Sequence, residues 1–89
     1  MVRQDVLITN TLGLHARAAA HFVQVASRFK SRILVARDGR TADGKSILGL
    51  LALLGDQGAR LTITADGVDE QDAIKTLVGL VGARFGEER

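Results

Sequence analysis

Residues 61 to 65 read Leu-Thr-Ile-Thr-Ala, apolar and polar in strict alternation. Successive side chains of a strand point to opposite faces, so this segment has one dry face and one wet face. The span from 59 to 65 therefore reads as a strand with Leu61, Ile63 and Ala65 turned inward. Residues 2–9 carry the same signal, with Val6 and Ile8 inward. Sheets built from such strands are antiparallel and covered on a single side. Doubly wound parallel sheets, whose strands are near-continuous apolar runs, are excluded, and 89 residues are too few for one.

Helical periodicity fills the intervals. Residues 16–29 place Ala19, Phe22, Val23, Ala26 and Phe29 or Lys30 at i, i+3, i+4 and i+7 spacing. A β-branched apolar segment follows at 32–37, and a return strand at 40–43. Asp38-Gly39 between them is a strong two-residue hairpin signal. Ser46 stands where an N-cap belongs, before the apolar run 47–54, and Gly55 ends that short helix. A last helix begins after Asp66-Gly67, with Asp69 as its cap and Asp72 as an echo of a capping box. Its buried stripe is Ala73, Ile74, Leu77, Leu80, Val81 and the stem of Arg84. The order is strand-helix-strand-strand-helix-strand-helix. The expected fold is α+β, a two-layer sandwich open on one face, forming a single domain over residues 1–89.

Composition narrows the function. There are no cysteines, so a disulfide framework and thiolate metal sites are excluded. The formal net charge is +2, and Arg28, Lys30 and Arg32 form the densest basic cluster. With only Phe29 interleaved, that cluster reads as cations complementing a helix C-terminus, and no nucleic-acid partner is expected. No apolar stretch is long enough for a membrane span and the N-terminus alternates like a strand, so the expected location is the cytoplasm. A monomer is expected.

Two stretches carry candidate chemistry. Gly39 to Ser46, GRTADGKS, fits the Walker A pattern G-x-x-x-x-G-K-[ST] of a phosphate-binding loop. That reading would make Lys45 and Ser46 nucleotide ligands. It conflicts with the alternating sheet, and a hairpin tip at Asp38-Gly39 cannot also open a phosphate loop. The second stretch is Gly13-Leu14-His15-Ala16-Arg17. His15 stands at the start of the first helix, where exposed backbone N–H groups and the helix dipole favour an anion. Arg17 adds a cation with several donors. A neutral imidazole is a nucleophile near neutral pH, so this set can accept a phosphoryl group on a ring nitrogen. Equally, His15 can merely cap the helix and Arg17 be a solvated charge; spacing does not choose between them.

Thr9-Asn10-Thr11-Leu12-Gly13-Leu14-His15-Ala16-Arg17 resembles the active-site segment of the HPr family, the histidine-containing phosphocarriers of the bacterial phosphotransferase system. Gly44-Lys45-Ser46-Ile47-Leu48-Gly49-Leu50 resembles that family's second signature, around a regulatory serine. The likeness spans essentially the whole chain. It implies a four-stranded antiparallel sheet with three helices on one face. It also implies that enzyme I, charged by phosphoenolpyruvate, phosphorylates His15 at Nδ1, and that the group then passes to a histidine of an enzyme II A component. Arg17 matches the arginine that supports the phosphate. The carrier is then not an enzyme, and it needs no metal, nucleotide or other cofactor.

The same resemblance makes Ser46 the target of a serine kinase/phosphorylase. It also makes Lys45, Ile47, Leu48 and Leu51 partner contacts, with Leu50, Leu53 and Leu54 mostly buried. Two departures stand out: Ala18 replaces the family proline, and Gln24 and Ser27 replace lysines frequent on the first helix. His21, six residues from His15, is not spaced for a metal pair and reads as a surface histidine. Sugar uptake and a nitrogen-type regulatory relay are both open, with Ile8-Thr9-Asn10 and the tail from Phe85 to Glu88 leaning toward the latter. The alternative function is an interaction module that works through the Ser46 face without relay activity.

Overall fold

The alternating segments assemble into one sheet. A computed structural model describes residues 1–9, 15–53, 58–83 and 85. The elements run β1 Val2–Leu7, α1 Ala16–Ala26, β2 Arg32–Arg37, β3 Arg40–Asp43, α2 Ile47–Leu53, β4 Arg60–Asp66 and α3 Glu70–Gly82. The strand order is β1-β4-β2-β3, and every neighbouring pair is antiparallel. Register places Val6 opposite Leu61, Ile33 opposite Ala65 and Val35 opposite Ile63, so the inward residues of three strands meet on one face. All six are buried. The three helices cover that face, and the other face is open, as the alternation requires.

Each helix buries the stripe its periodicity predicts, with informative exceptions. In α1 the buried residues are Ala18, Ala19, Phe22, Val25 and Ala26. Val25 joins the core where the pattern had favoured Val23, which is only partly buried. The helix was expected to reach Phe29 but ends at Ala26; Arg28 and Phe29 continue as tighter turns, bonding to the carbonyls of Val25 and Ala26. Arg28, Lys30 and Arg32 therefore do not lie in the last turn, and Arg32 belongs to β2. In the turn beyond the helix, Lys45 Nζ donates to the Phe29 carbonyl at 2.7 Å.

The start of α3 also departs from expectation. Asp69 is its N-cap by position, yet its carboxylate makes no bond to its own helix. It accepts instead from the Ser31 hydroxyl and from the backbone N–H groups of Lys30 (2.8 Å) and Ser31 (2.9 Å). One side chain thus ties the end of the α1–β2 connection to the end of the β4–α3 turn. The expected Asp72 box is replaced by a reciprocal pair, with Gly67 N–H donating to Glu70 Oε1 and Glu70 N–H to the Gly67 carbonyl. Ala73, Ile74, Leu77 and Val81 line the buried face of α3 as predicted, and Leu80 is half-buried. Phe85 is buried with φ +57°, and the ring of His21 donates from Nδ1 to its carbonyl at 2.9 Å. His21 is therefore a half-buried anchor for the segment after α3, not a surface residue. The expected stop at Gly55, the burial of Leu54 and the stem of Arg84 lie outside the described residues.

Two expected outcomes follow from the Ser31–Gly67–Asp69 junction. A Cβ at Gly67 would lie 2.6 Å from the Ser31 Cα, a backbone atom that cannot swing away. Gly67→Ala should lower stability by roughly 1–3 kcal/mol, the usual cost of overpacking, measured from the urea midpoint. An unchanged midpoint would contradict this contact. The hydroxyl and N–H donors of Ser31 and Lys30 hold the Asp69 carboxyl down from 3.8 to about 2. Because the folded state favours the ionised form, this contribution is complete above about pH 4 and drains as the pH falls toward about 2. Thermal melts across that window should show a loss that Asp69→Asn reduces, while wild type and variant converge at the acid end.

Candidate functional site

His15 is the N-cap of α1. Its backbone is extended (φ −97°, ψ −179°), and its carbonyl accepts the first helical bond from Ala19 N–H at 2.8 Å. Serine, threonine, aspartate or asparagine usually fill this position with a side-chain acceptor. Here the ring does so: Nδ1 accepts from the Arg17 backbone N–H at 3.3 Å. An accepting Nδ1 carries a lone pair, which places the proton of the neutral ring on Nε2. The nucleophilic nitrogen is thereby aimed at the positive end of the helix dipole. No acidic residue occupies the first turn of α1, so nothing there repels an incoming anion. Arg17 is exposed, and its guanidinium forms no ion pair among the described residues. Ala18, in the place of the family proline, is fully buried and packs in the core beneath this end of the helix. Residues 10–14 of the expected active-site segment lie outside the described residues.

The second motif forms a turn and a helix cap. Asp38 and Gly39 have φ +49° and +81°, and Arg37 pairs with Arg40. Positive φ at both central residues makes a two-residue type I′ hairpin, which ends the phosphate-loop reading of GRTADGKS. Its lysine is also engaged: Lys45 N–H donates to Asp43 Oδ1 at 2.9 Å and its ammonium to Phe29. Ser46 caps α2 as expected, its Oγ accepting from Gly49 N–H at 3.1 Å and its carbonyl from Leu50 N–H at 3.0 Å. Behind the cap, Leu50 and Leu53 are buried and Leu51 is half-buried. Ile47 is 42 % exposed and Leu48 82 % exposed. These two form the apolar surface beside Ser46, and the packing of α2 on α1 puts that surface on the same layer as His15.

Sequence reasoning located these residues but missed the work of Lys45, which links the Ser46 turn to the turn after α1. No local signal announced it, since the two partners are 16 residues apart. Among the described residues no group of His, Asp and Glu is placed to hold a metal ion.

Comparison with known proteins agrees with this architecture. The family profile described as PTS HPr component phosphorylation site matches residues 2–83. The phosphocarrier protein HPr of Cupriavidus necator is 45 % identical over 87 residues, covering 98 % of each chain. The HPr-like protein Crh of Bacillus subtilis is 43 % identical over 81 residues, covering 91 % of this chain and 95 % of that one. The crystal structure of HPr-C-His from Thermoanaerobacter tengcongensis superposes with a TM-score of 0.96 at 46 % identity, covering both chains completely. The chain belongs to the HPr family, the phosphocarrier proteins of the phosphotransferase system.

The cap on α2 has a measurable weight. Ser46→Ala leaves the Gly49 N–H without its acceptor and should cost about 1 kcal/mol in chemical unfolding. Ser46→Asp, which keeps an acceptor and adds a charge suited to a helix start, should recover most of that loss.

Proposed function

We propose that His15 is the phosphoryl acceptor of a relay that runs from enzyme I to an enzyme II A component, with Arg17 holding the phosphate. The observation that carries this reading is the Nδ1 lone pair directed at the Arg17 N–H in the first turn of α1. In the forward step that lone pair attacks phosphorus, the bond between phosphorus and the donor atom breaks, and the donor keeps the bonding electrons. The Nε2 proton stays in place throughout. The new phosphoryl oxygens replace Nδ1 as acceptors for the helix N–H groups, and Arg17 supplies a movable cation. Such support is modest, about 0.3–2 kcal/mol for an anion at a helix start. A carrier needs that modesty, because the group must leave again. This chain then acts as a phosphorylated intermediate between two phosphotransferases and not as an enzyme.

Ser46 is the proposed regulatory phosphorylation site. A phosphate there keeps an oxygen acceptor for Gly49 N–H while placing about −1.5 to −2 charges beside the exposed Ile47–Leu48 surface. That surface, with Leu51 and Lys45 at its margin, is the proposed docking face for enzyme I and the enzyme II A component. The exposure of Leu48 also favours the second reading, an interaction module that binds through α2 without transferring phosphate.

Intact-protein mass after incubation with enzyme I and phosphoenolpyruvate separates the two. The relay reading expects one acid-labile phosphoryl group, absent in His15→Ala, and strongly slowed transfer in Arg17→Ala. Loss of that group to a sugar-type or a nitrogen-type enzyme II A component would assign the branch. An unmodified protein that still binds enzyme I through Leu48 would support the interaction module instead.

A further inference from the structure

The helix that carries the proposed docking face is too short to hold itself. α2 has seven residues, and isolated helices under about 12–15 residues are marginal in water. Its start is fastened locally. Ser46 caps it, Ser46 N–H donates to the Asp43 carbonyl at 3.0 Å, and Lys45 N–H donates to Asp43 Oδ1. Its end needs another device. The last carbonyls of a helix have no partner inside it, and the negative end of the dipole lies there. No basic residue stands in the last turn of α2. The cation comes from β2: Arg37 Nη1 donates to the Leu53 carbonyl at 2.8 Å, across 16 positions.

Arg37 is well placed to act as a fixed point. It is the last residue of β2 and pairs with Arg40 across the Asp38-Gly39 turn. Its side chain is only 25 % exposed, and Nε lies 3.5 Å from Asp38 Oδ2. The guanidinium therefore joins the hairpin to the end of α2. What it fixes there is the rotation of the helix. Leu50 and Leu53 are the buried residues of α2, and Leu53 is the one whose carbonyl Arg37 holds. Leu48, two residues before Leu50, turns to the other side and into solvent. Slackening at Leu53 frees one of the two core anchors, and the face that presents Leu48 is then no longer fixed. His15 does not share this dependence, because α1 has its own cap and its own core contacts.

We propose that Arg37 is a positioning residue for docking: it holds α2 in the form that presents Ile47 and Leu48, from outside the surface the partner covers. This rests on the reading of that surface as the docking face. A partner that binds only the ordered helix loses apparent affinity in proportion to the fraction that is ordered. Once bound, the partner itself holds α2 in place, and His15 is unaffected. Loss of Arg37 should therefore weaken binding and spare the rate of transfer in the saturated complex.

The test measures calorimetric Kd for enzyme I, and the transfer rate from phosphorylated enzyme I at saturation. The variants are Arg37→Met, Arg37→Lys, Leu48→Ala and the double variant Arg37→Met with Leu48→Ala. Arg37→Met should raise Kd roughly threefold to tenfold, with the saturated rate within about twofold of wild type. Arg37→Lys keeps a donor for the Leu53 carbonyl and should stay near wild type. Leu48→Ala should also raise Kd, and on that background Arg37→Met should add little, since the two act through one surface. Hydrogen exchange should show faster opening of the α2 amides in Arg37→Met, with the Ile63 amide in β4 unchanged. If Leu48→Ala weakens binding and Arg37→Met does not, the docking face stands and the role of Arg37 is overturned. Full additivity of the two substitutions, or an equal rise in exchange at Ile63, would reduce Arg37 to a general stabiliser and also overturn it. If Leu48→Ala leaves Kd unchanged, or the wild type does not bind enzyme I, the docking face itself fails and the proposal with it.

Discussion

The burial of one sheet face is the constraint on which the rest of this molecule depends. Ile33, Val35, Leu61, Ile63 and Ala65 have to leave water together, and only helices laid across them can achieve it. Three short helices suffice because small residues, Ala18, Ala19, Ala26 and Ala73, sit among the larger ones at the contact. The other face stays wet, which leaves the sheet with one layer and two outer strands. In a chain of 89 residues this single core leaves little stability in reserve.

Both proposed sites lie at helix starts. A helix start offers backbone donors with no partner of their own, and each must be met by something. At α1 the donor is met by an imidazole nitrogen, and at α2 by a serine oxygen. Both acceptors are nucleophilic groups, and at both places a phosphate can take over the acceptor's role. Only α3 solves the problem differently. Its cap residue, Asp69, is recruited across the fold to Ser31, and Glu70 closes the turn with Gly67 instead. The start of α3 and the starts of α1 and α2 thus differ in what their caps are bonded to.

How far the sequence could be read follows the range of the interactions involved. The hairpin at Asp38-Gly39, the Ser46 cap and the inward faces of the strands were all legible, because each rests on residues within four positions of one another. The end of α1 was not, since its periodicity runs on to Phe29 while the chain must already tighten to feed β2. The anchoring of Phe85 by His21 was not either. These residues are 64 positions apart, and a half-buried histidine looks the same in sequence as an exposed one.

By itself the sequence determined the open-faced sandwich, the hairpin that conflicts with the phosphate-loop pattern, and the places of His15 and Ser46 at helix starts. It did so because period, turn chemistry and caps are local properties of the backbone. Only the tertiary structure decided that Lys45 holds the Phe29 carbonyl, that Asp69 serves Ser31 and not its own helix, and that β1 ends the sheet. Each of those is a choice among partners far apart in the chain. A charged or polar side chain takes whichever unsatisfied group the fold brings within reach, and no local pattern records which one that is.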